Sequence, residues 1–105
     1  MGKGKVAAQC AHAAVRCYQN ALQKAPEVLK VWEITGQPKI VVKPEQDGEE
    51  CLLQLYEKAR SLGLTAAIVR DAGKTQVDSG TVTVVGIGPG QSNIVDQVTK
   101  HLKLL

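Results

Sequence analysis

Four polar side chains recur near the start of the chain at the spacing of one helical face. The positions i, i+4, i+7 and i+11 are taken by Lys5, Gln9, His12 and Arg16. At about 100° per residue these side chains fall within a narrow sector of an α-helix. They can together bind an anion such as phosphate, but a helical histidine is also an ordinary surface residue, so the pattern leaves both interpretations open.

A second lysine stands just before this face, in the order Gly2-Lys3-Gly4-Lys5. Free backbone N–H groups at a helix N-terminus favour an anion, whereas lysines there oppose the helix dipole. Lys3 therefore either meets a phosphate or a developing oxyanion, or it is simply solvated. The GxxxxGK[ST] spacing of a P-loop does not occur in this sequence.

The segment from position 71 to 83 carries a carboxylate, a lysine and hydroxyls between two predicted strands. Its candidate residues are Asp71, Lys74, Thr75 and Thr83. Sites cluster at strand ends in α/β sheets, and a carboxylate with hydroxyls can orient or deprotonate a water molecule without a metal. The same residue types also form ordinary turns, so this segment alone does not choose between catalysis and turn formation.

Composition and spacing argue against several other classes of protein. The chain has 105 residues, a formal net charge of +3, two histidines and three cysteines without a CxxC pair, so no zinc cluster is spelled out. No apolar run approaches the ~18 residues of a membrane span. No secretory leader is visible, so we expect reduced thiols in an intracellular protein. Gln91 stands where a dinucleotide fingerprint beginning at Gly86 needs its third glycine, and the positive charge favours anionic partners.

The elements that must position these residues follow from hydrophobic periodicity. A first helix is predicted from Val6, with an inward face of Val6, Cys10, Ala14, Cys17 and Ala21. Further helices are predicted from Pro26, over about 47–62 with Gly63 as the C-terminal cap, and from Ser92 as an N-cap. β-branched runs predict three strands, which are Lys39–Lys43, Thr65–Arg70 and Thr81–Ile87.

These elements predict one domain over residues 1–105 with an α/β fold. The strand–helix–strand unit that ends at Arg70 favours a right-handed parallel crossover. The short helix-free segment after it favours an antiparallel return. We therefore expect a mixed three-stranded sheet that is covered by helices on both faces.

Several stretches of the sequence resemble the type 2 peptidyl-tRNA hydrolases. They are MGKGKVAAQCAHA at the start, GQPKIVVK at 36–43, DAGKTQ at 71–76, GTVTVVGIGP at 80–89 and VTKHLKLL at 98–105. The likeness runs in register over the whole length. Members of this family usually carry an apolar strand immediately before the position of Met1, so the resemblance implies a fourth strand that this chain lacks.

The resemblance implies an esterase that cleaves the bond between a peptide and the 3′ ribose of tRNA, without a metal or organic cofactor. It maps the family's proposed site residues onto Lys3, Asp71, Thr75 and Thr83, and it places Gln9 and His12 in the helix motif. It further implies peptidyl-tRNA as the partner, a homodimer, no membrane contact from this chain, and a cytoplasmic or mitochondria-associated location with links to cell-death signalling.

Our hypothesis is that Lys3 and Asp71 share one solvent-filled pocket. Lys3 would stabilise the oxyanion or hold a terminal phosphate. Asp71, oriented through Thr75 or Thr83, would position or activate water, and His12 would join the catalytic group. Substrate-binding roles fall to Lys5, Gln9, Arg16 and Lys74. Two alternatives stay open: a non-catalytic interaction protein built on this fold, and a tRNA-binding module without turnover.

Overall fold

The computed structural model describes residues 2–71 and 80–105, so the predicted site residues Lys74 and Thr75 lie outside the described residues. Helices and strands follow one another in the order α1 (Lys3–Lys24), α2 (Pro26–Ile34), α3 (Glu49–Ser61), β1 (Ala66–Arg70), β2 (Val82–Ile87) and α4 (Ser92–Thr99). The predicted α/β class is confirmed. The predicted helices all form, although Ser92 is the first residue of α4 and Gln91 is its N-cap.

The described sheet has two strands, β1 and β2, which pair antiparallel. The prediction of a mixed three-stranded sheet is therefore wrong, and with it the parallel crossover. The segment 39–43 has the composition of a strand, but Val42 makes only an isolated bridge, to Leu104 near the C-terminus. A β-branched run becomes a strand only when a neighbouring strand forms a ladder of hydrogen bonds with it. Segment 39–43 instead pairs with the short C-terminal tail, which forms too few of these hydrogen bonds for a ladder.

Helices cover both faces of the sheet, as predicted. On one face, a methyl group built on Gly86 would lie 2.6 Å from Cys17 Sγ and 3.3 Å from Ala13 Cβ, so α1 approaches β2 closely there. On the other face, Ala66 and Ile87 pack against a hydrophobic cluster. The cluster consists of Ala59 in α3, Leu64 between α3 and β1, and Val98 in α4. Successive side chains of a strand alternate between faces, which gives each strand contacts with both helical layers.

The buried face of α1 is formed by small side chains. Its buried residues are Gln9, Ala13, Cys17 and Ala21, so the predicted burial of Cys17 and Ala21 is confirmed, whereas Val6, Cys10 and Ala14 are only half-buried. Alanine and cysteine let the helix axis come near the strands, and burying them contributes roughly 25 cal/mol per Å² of apolar surface. The helix therefore runs close along the sheet and carries Lys5 towards the end of β1.

The end of α3 fixes where β1 begins. Gly63 has φ of +79°, the left-handed conformation that glycine adopts without a Cβ clash, as the sequence predicted. The N–H of Leu64 donates to the carbonyl of Ala59 at 3.0 Å. This closure turns the chain directly from α3 into β1, which ends at Arg70, one residue before Asp71.

Candidate active site

An ion pair joins the start of α1 to the end of β1. Lys5 Nζ lies 3.0 Å from Asp71 Oδ2, and their side chains are 48% and 46% exposed. Half of each group thus remains open to solvent and can be reached by a substrate. A carboxylate in such a position can accept a proton from water.

Lys3 is the first residue of α1 and is exposed. Among the described residues it has no ion pair, whereas Lys5 contacts Asp71 directly. Residues two apart on an α-helix are separated by about 200° around its axis, so Lys3 and Lys5 leave the helix in nearly opposite directions. The structure thus brings a lysine of the glycine-rich start to Asp71, and that lysine is Lys5.

The backbone around Asp71 is held by the two residues that directly precede β2, Gly80 and Thr81. The N–H of Asp71 donates to the carbonyl of Thr81 at 2.9 Å, and Arg70 Nη1 donates to the carbonyl of Gly80 at 3.0 Å. A Cβ on Gly80 would collide with the carbonyl group of Asp71. The two chain segments therefore pass so closely that Gly80 must lack a side chain for Asp71 to lie where it does.

Thr83 stands at an irregularity of the hairpin. Val69 pairs with Val84 and Arg70 pairs with Val82, so Thr83 is an extra residue on β2, a β-bulge. Its hydroxyl donates to the carbonyl of Val69 at 3.3 Å. Bulges re-aim side chains and are common next to active sites. Thr83 is thereby tied to the strand that ends beside Asp71, two residues beyond Val69.

Polar side chains of α1 cover the open edge of β1. Arg16 Nη1 donates to the carbonyl of Ile68 at 2.6 Å, and Asn20 Nδ2 donates to that of Ala66 at 3.3 Å. The carbonyls of Thr65 and Val69 are instead engaged from the β2 side. Arg16, which the sequence predicts to bind substrate, thus donates a hydrogen bond to a carbonyl at the edge of β1. Asn20 makes a similar hydrogen bond, although it was not part of the four-residue pattern.

The two other members of the predicted stripe have different surroundings. Gln9 is 8% exposed and lies on the buried face of α1, one turn before Ala13. His12 is exposed, and no hydrogen bond to another described residue holds its ring. The four-residue stripe is therefore divided between a buried amide and exposed charged or ionisable groups.

A carboxylate from α3 supports the hairpin and was missed by sequence reasoning. Glu49 Oε1 accepts a hydrogen bond from the N–H of Val82 at 3.0 Å and lies 3.7 Å from Arg70 Nη1. By its sequence alone, Glu49 belongs to an acidic helix start that is expected to be solvated. Its position in the first turn of α3 carries no signal of this contact, because its partners are 21 and 33 positions away along the chain.

The described residues contain neither a candidate metal site nor a disulfide. Over 2–71 and 80–105, no group of three His, Cys, Asp or Glu side chains is arranged to hold a metal ion, and none of the helices there has the length and apolarity to cross a membrane. All three cysteines are free. Burial raises the pKa of the Cys17 thiol to about 11, so this group is an uncharged core side chain at neutral pH.

Comparison with known proteins identifies the family. The family model described as "Peptidyl-tRNA hydrolase PTH2" matches residues 1–105. The chain is 55% identical over 104 residues to the Mus musculus "Peptidyl-tRNA hydrolase 2, mitochondrial", a match that covers 99% of this chain and 56% of that protein. It is 49% identical over 104 residues to the "Probable peptidyl-tRNA hydrolase 2" of Schizosaccharomyces pombe, covering 99% of this chain and 50% of the relative.

An archaeal relative matches over nearly its full length. The "Peptidyl-tRNA hydrolase" of Sulfolobus acidocaldarius is 50% identical over 110 residues, which covers all of this chain and 90% of the relative. The chain spans about half the length of the mouse and yeast relatives. A match over the whole chain to one family model, together with identities near 50%, confirms the resemblance, and the chain belongs to the peptidyl-tRNA hydrolase PTH2 family.

Proposed function

We propose that this chain hydrolyses peptidyl-tRNA at the ester between the peptide and the 3′ ribose. The single observation that carries the proposal is the half-exposed contact of 3.0 Å between Lys5 and Asp71, in a chain that matches the family model from end to end. Each group has a natural task in ester hydrolysis, because a carboxylate can take a proton from water and an ammonium can stabilise an oxyanion.

In the proposed reaction Asp71 orients a water molecule and accepts its proton as the oxygen attacks the ester carbonyl carbon. The electron pair of the carbonyl moves to its oxygen, whose negative charge is stabilised by a lysine. The bond between the acyl carbon and the ribose oxygen then breaks, and the proton passes to that ribose oxygen. The products are a peptide with a free carboxyl group and a tRNA with a free 3′ hydroxyl.

Either Lys3 or Lys5 could be the lysine that stabilises the oxyanion. The sequence favoured Lys3 at the helix start, whereas the contact with Asp71 favours Lys5. We propose Lys5 as the cation next to the reacting ester and Lys3 as a second cation at the N-terminus of α1. We keep three further roles that the sequence suggested: Thr83 and Thr75 orient the carboxylate and the water, and His12 belongs to the catalytic group.

The substrate's phosphates require further cations. We propose Arg16 and Lys74 for this task, with Gln9 as a buried support beneath the site. Arg16 has one N–H bound to Ile68, and a guanidinium has five N–H donors, so a phosphate can still be bound. We also propose that the protein acts in the cytoplasm or at mitochondria and that it forms a homodimer. The names of the mouse and human relatives include the word mitochondrial.

Substitution of the two central groups tests the proposal. We expect Asp71→Asn and Lys5→Ala each to lower the turnover of an N-acetylated aminoacyl-tRNA by about 10²–10³, the usual effect of losing such a group. Lys3→Ala is expected to lose no more than Lys5→Ala does. Release of the acyl group is followed in time, and the melting temperature shows that each variant is folded.

Matched variants on exposed positions serve as controls. Asp96→Asn on α4 and Lys30→Ala on α2 make the same chemical changes away from the site and should keep the parent rate. Near-parental hydrolysis by Asp71→Asn would contradict the role of the carboxylate. If the parent chain binds tRNA but cleaves no ester, the proposed hydrolase activity is contradicted, and the chain is a tRNA-binding module without turnover.

A further inference from the structure

A polar groove lies at the far end of the sheet from the Lys5–Asp71 contact. It has a volume of about 490 Å³ and opens between the C-terminal turns of α1 and α3 and the start of β1. The described residues that line it are Asn20, Gln23, Lys24, Tyr56, Arg60, Leu64, Thr65 and Ala66. Its walls thus combine two cations, two amides and one aromatic ring over a short apolar floor.

The charge of this groove is of one sign. Lys24 and Arg60 line it, and the described lining residues include no aspartate or glutamate. Within 2–71 and 80–105 neither cation has a carboxylate partner. The Arg60 guanidinium lies over the ring of Tyr56, 5.6 Å from its centroid, which limits the directions in which it can point. A guanidinium and an ammonium that line the same groove, neither with a carboxylate partner among the described residues, favour a ligand that presents several negative charges.

The groove is aligned with the active site along α1. Asn20 lines it and also reaches the carbonyl of Ala66 at the start of β1, while Arg16 reaches Ile68 in mid-strand and Lys5 reaches Asp71 after its end. A helix rise of 1.5 Å per residue separates Lys24 from Lys5 by roughly 28 Å. That span is too long for one terminal nucleoside, so a ligand that touches both ends must be a longer stretch of nucleic acid.

We infer that this groove binds the sugar–phosphate backbone of a double-helical arm of the tRNA, remote from the ester. The inference rests on the proposed function and adds a second substrate contact to it. Proteins contact duplex RNA mostly through phosphates and ribose 2′-hydroxyls. Lys24 and Arg60 supply the charges for phosphates, and the amides of Asn20 and Gln23 are suited to 2′-hydroxyls.

The test measures binding of deacylated tRNA, which carries no ester, so its result does not depend on turnover. Removing one cation that binds a phosphate should lower the slope of log Kd against log salt concentration by about one. The double variant Lys24→Ala/Arg60→Ala should therefore lose about two units of slope. Equivalently, the rise in Kd between 50 and 200 mM salt should shrink roughly tenfold relative to the parent.

A matched control removes the same charge elsewhere. Lys30→Ala/Lys58→Ala also loses two cations, and Lys58 shares the last turn of α3 with Arg60 but does not line the groove. Its slope should stay within about half a unit of the parent. The exchange Lys24→Arg/Arg60→Lys keeps both charges and should keep the slope, which separates loss of charge from misfolding.

The length of the probe locates the contact. The effect of the double variant should appear with a hairpin that contains the acceptor stem and should vanish with a short single strand that ends in CCA. Equal slopes for the double variant and its control would overturn the inference. So would equal effects on the two probes, or an acidic peptide whose binding depends on Lys24 and Arg60 while tRNA binding does not. If the chain binds tRNA through the groove but cleaves no ester, the proposed function is refuted and the inference that the groove binds tRNA still holds.

Discussion

Asp71 is held from two sides by interactions of different kinds. Lys5 contacts its carboxylate at 3.0 Å, and Thr81 accepts a hydrogen bond from its backbone N–H at 2.9 Å. Gly80 passes close to its carbonyl group. A carboxylate positioned through its own main chain loses less freedom when a water molecule binds to it, because its geometry is already largely set.

The close approach of Gly80 gives a prediction at the residue scale. Gly80→Ala places a methyl group against the carbonyl of Asp71, so the Asp71 main chain must shift and the contact with Lys5 must change. We expect ester hydrolysis to fall by about tenfold to a hundredfold, since a misplacement of about 1 Å costs on that order. Overcrowding of this kind should lower the free energy of unfolding by only about 1–3 kcal/mol.

Steady-state kinetics and urea denaturation of this variant measure the two effects separately. Folded protein with a reduced rate is the expected result. A folded variant with the parent's rate would show that the position of the Asp71 main chain does not matter for the reaction.

At the scale of elements, the closeness of α1 to the sheet sets the geometry of the site. Gly86 faces Cys17 and Ala13 of α1, and Arg16 and Asn20 bind the carbonyls of β1 from the same helix. Small side chains permit the close approach of α1 to the strands. Arg16 and Asn20 donate hydrogen bonds to edge carbonyls of β1 that would otherwise be hydrogen-bonded to water. The start of α1 reaches Asp71 because the rest of the helix is fastened along the strands.

Gly86→Ala tests this packing. Its methyl group would lie 2.6 Å from Cys17 Sγ, so we expect the free energy of unfolding to fall by about 1–3 kcal/mol. Cys17→Ala removes the sulfur atom, so the cost of Gly86→Ala should be smaller in that background by about 0.5 kcal/mol or more. Urea denaturation of the parent, the two single variants and the double variant gives this coupling, and strictly additive costs would contradict the contact.

At the scale of the whole molecule, one buried thiol links stability to alkaline pH. Burial raises the pKa of Cys17 to about 11 from an ordinary value of 9.0. Between these values the unfolded chain has lost the thiol proton and the folded chain has kept it, so the free energy of unfolding falls as pH rises. The expected slope is up to about 1.4 kcal/mol per pH unit, and the contribution is complete below pH 9.

Urea denaturation of the parent and of Cys17→Ala at several pH values from 8 to 11 isolates this contribution. The difference in unfolding free energy between the two proteins should shrink as pH rises, because only the parent loses the stabilisation. Cys10→Ala replaces a half-buried cysteine of the same helix and provides a matched substitution for comparison at each pH. A slope in Cys17→Ala equal to that of the parent would contradict the raised pKa.

Much of this protein was determined by local sequence. The four helices of the described residues, the Gly63 cap and the hairpin strands follow from periodicity and from residues with special backbone preferences, because a helix forms its hydrogen bonds within a few residues of itself. The residue types able to perform ester chemistry were also identifiable, since Asp71 and a glycine-rich start with lysines are visible without coordinates. The likeness of whole segments pointed to the family that the comparisons confirm.

Tertiary structure decided the relations between distant residues. The segment 39–43 is no strand here, because a strand needs partners that its own sequence cannot supply. Lys5 meets Asp71 because α1 has one rotational setting over the sheet, which small buried side chains at Ala13 and Cys17 permit. Which face a helix turns inward depends on the surface that it packs against, and that surface is made by residues far away along the chain.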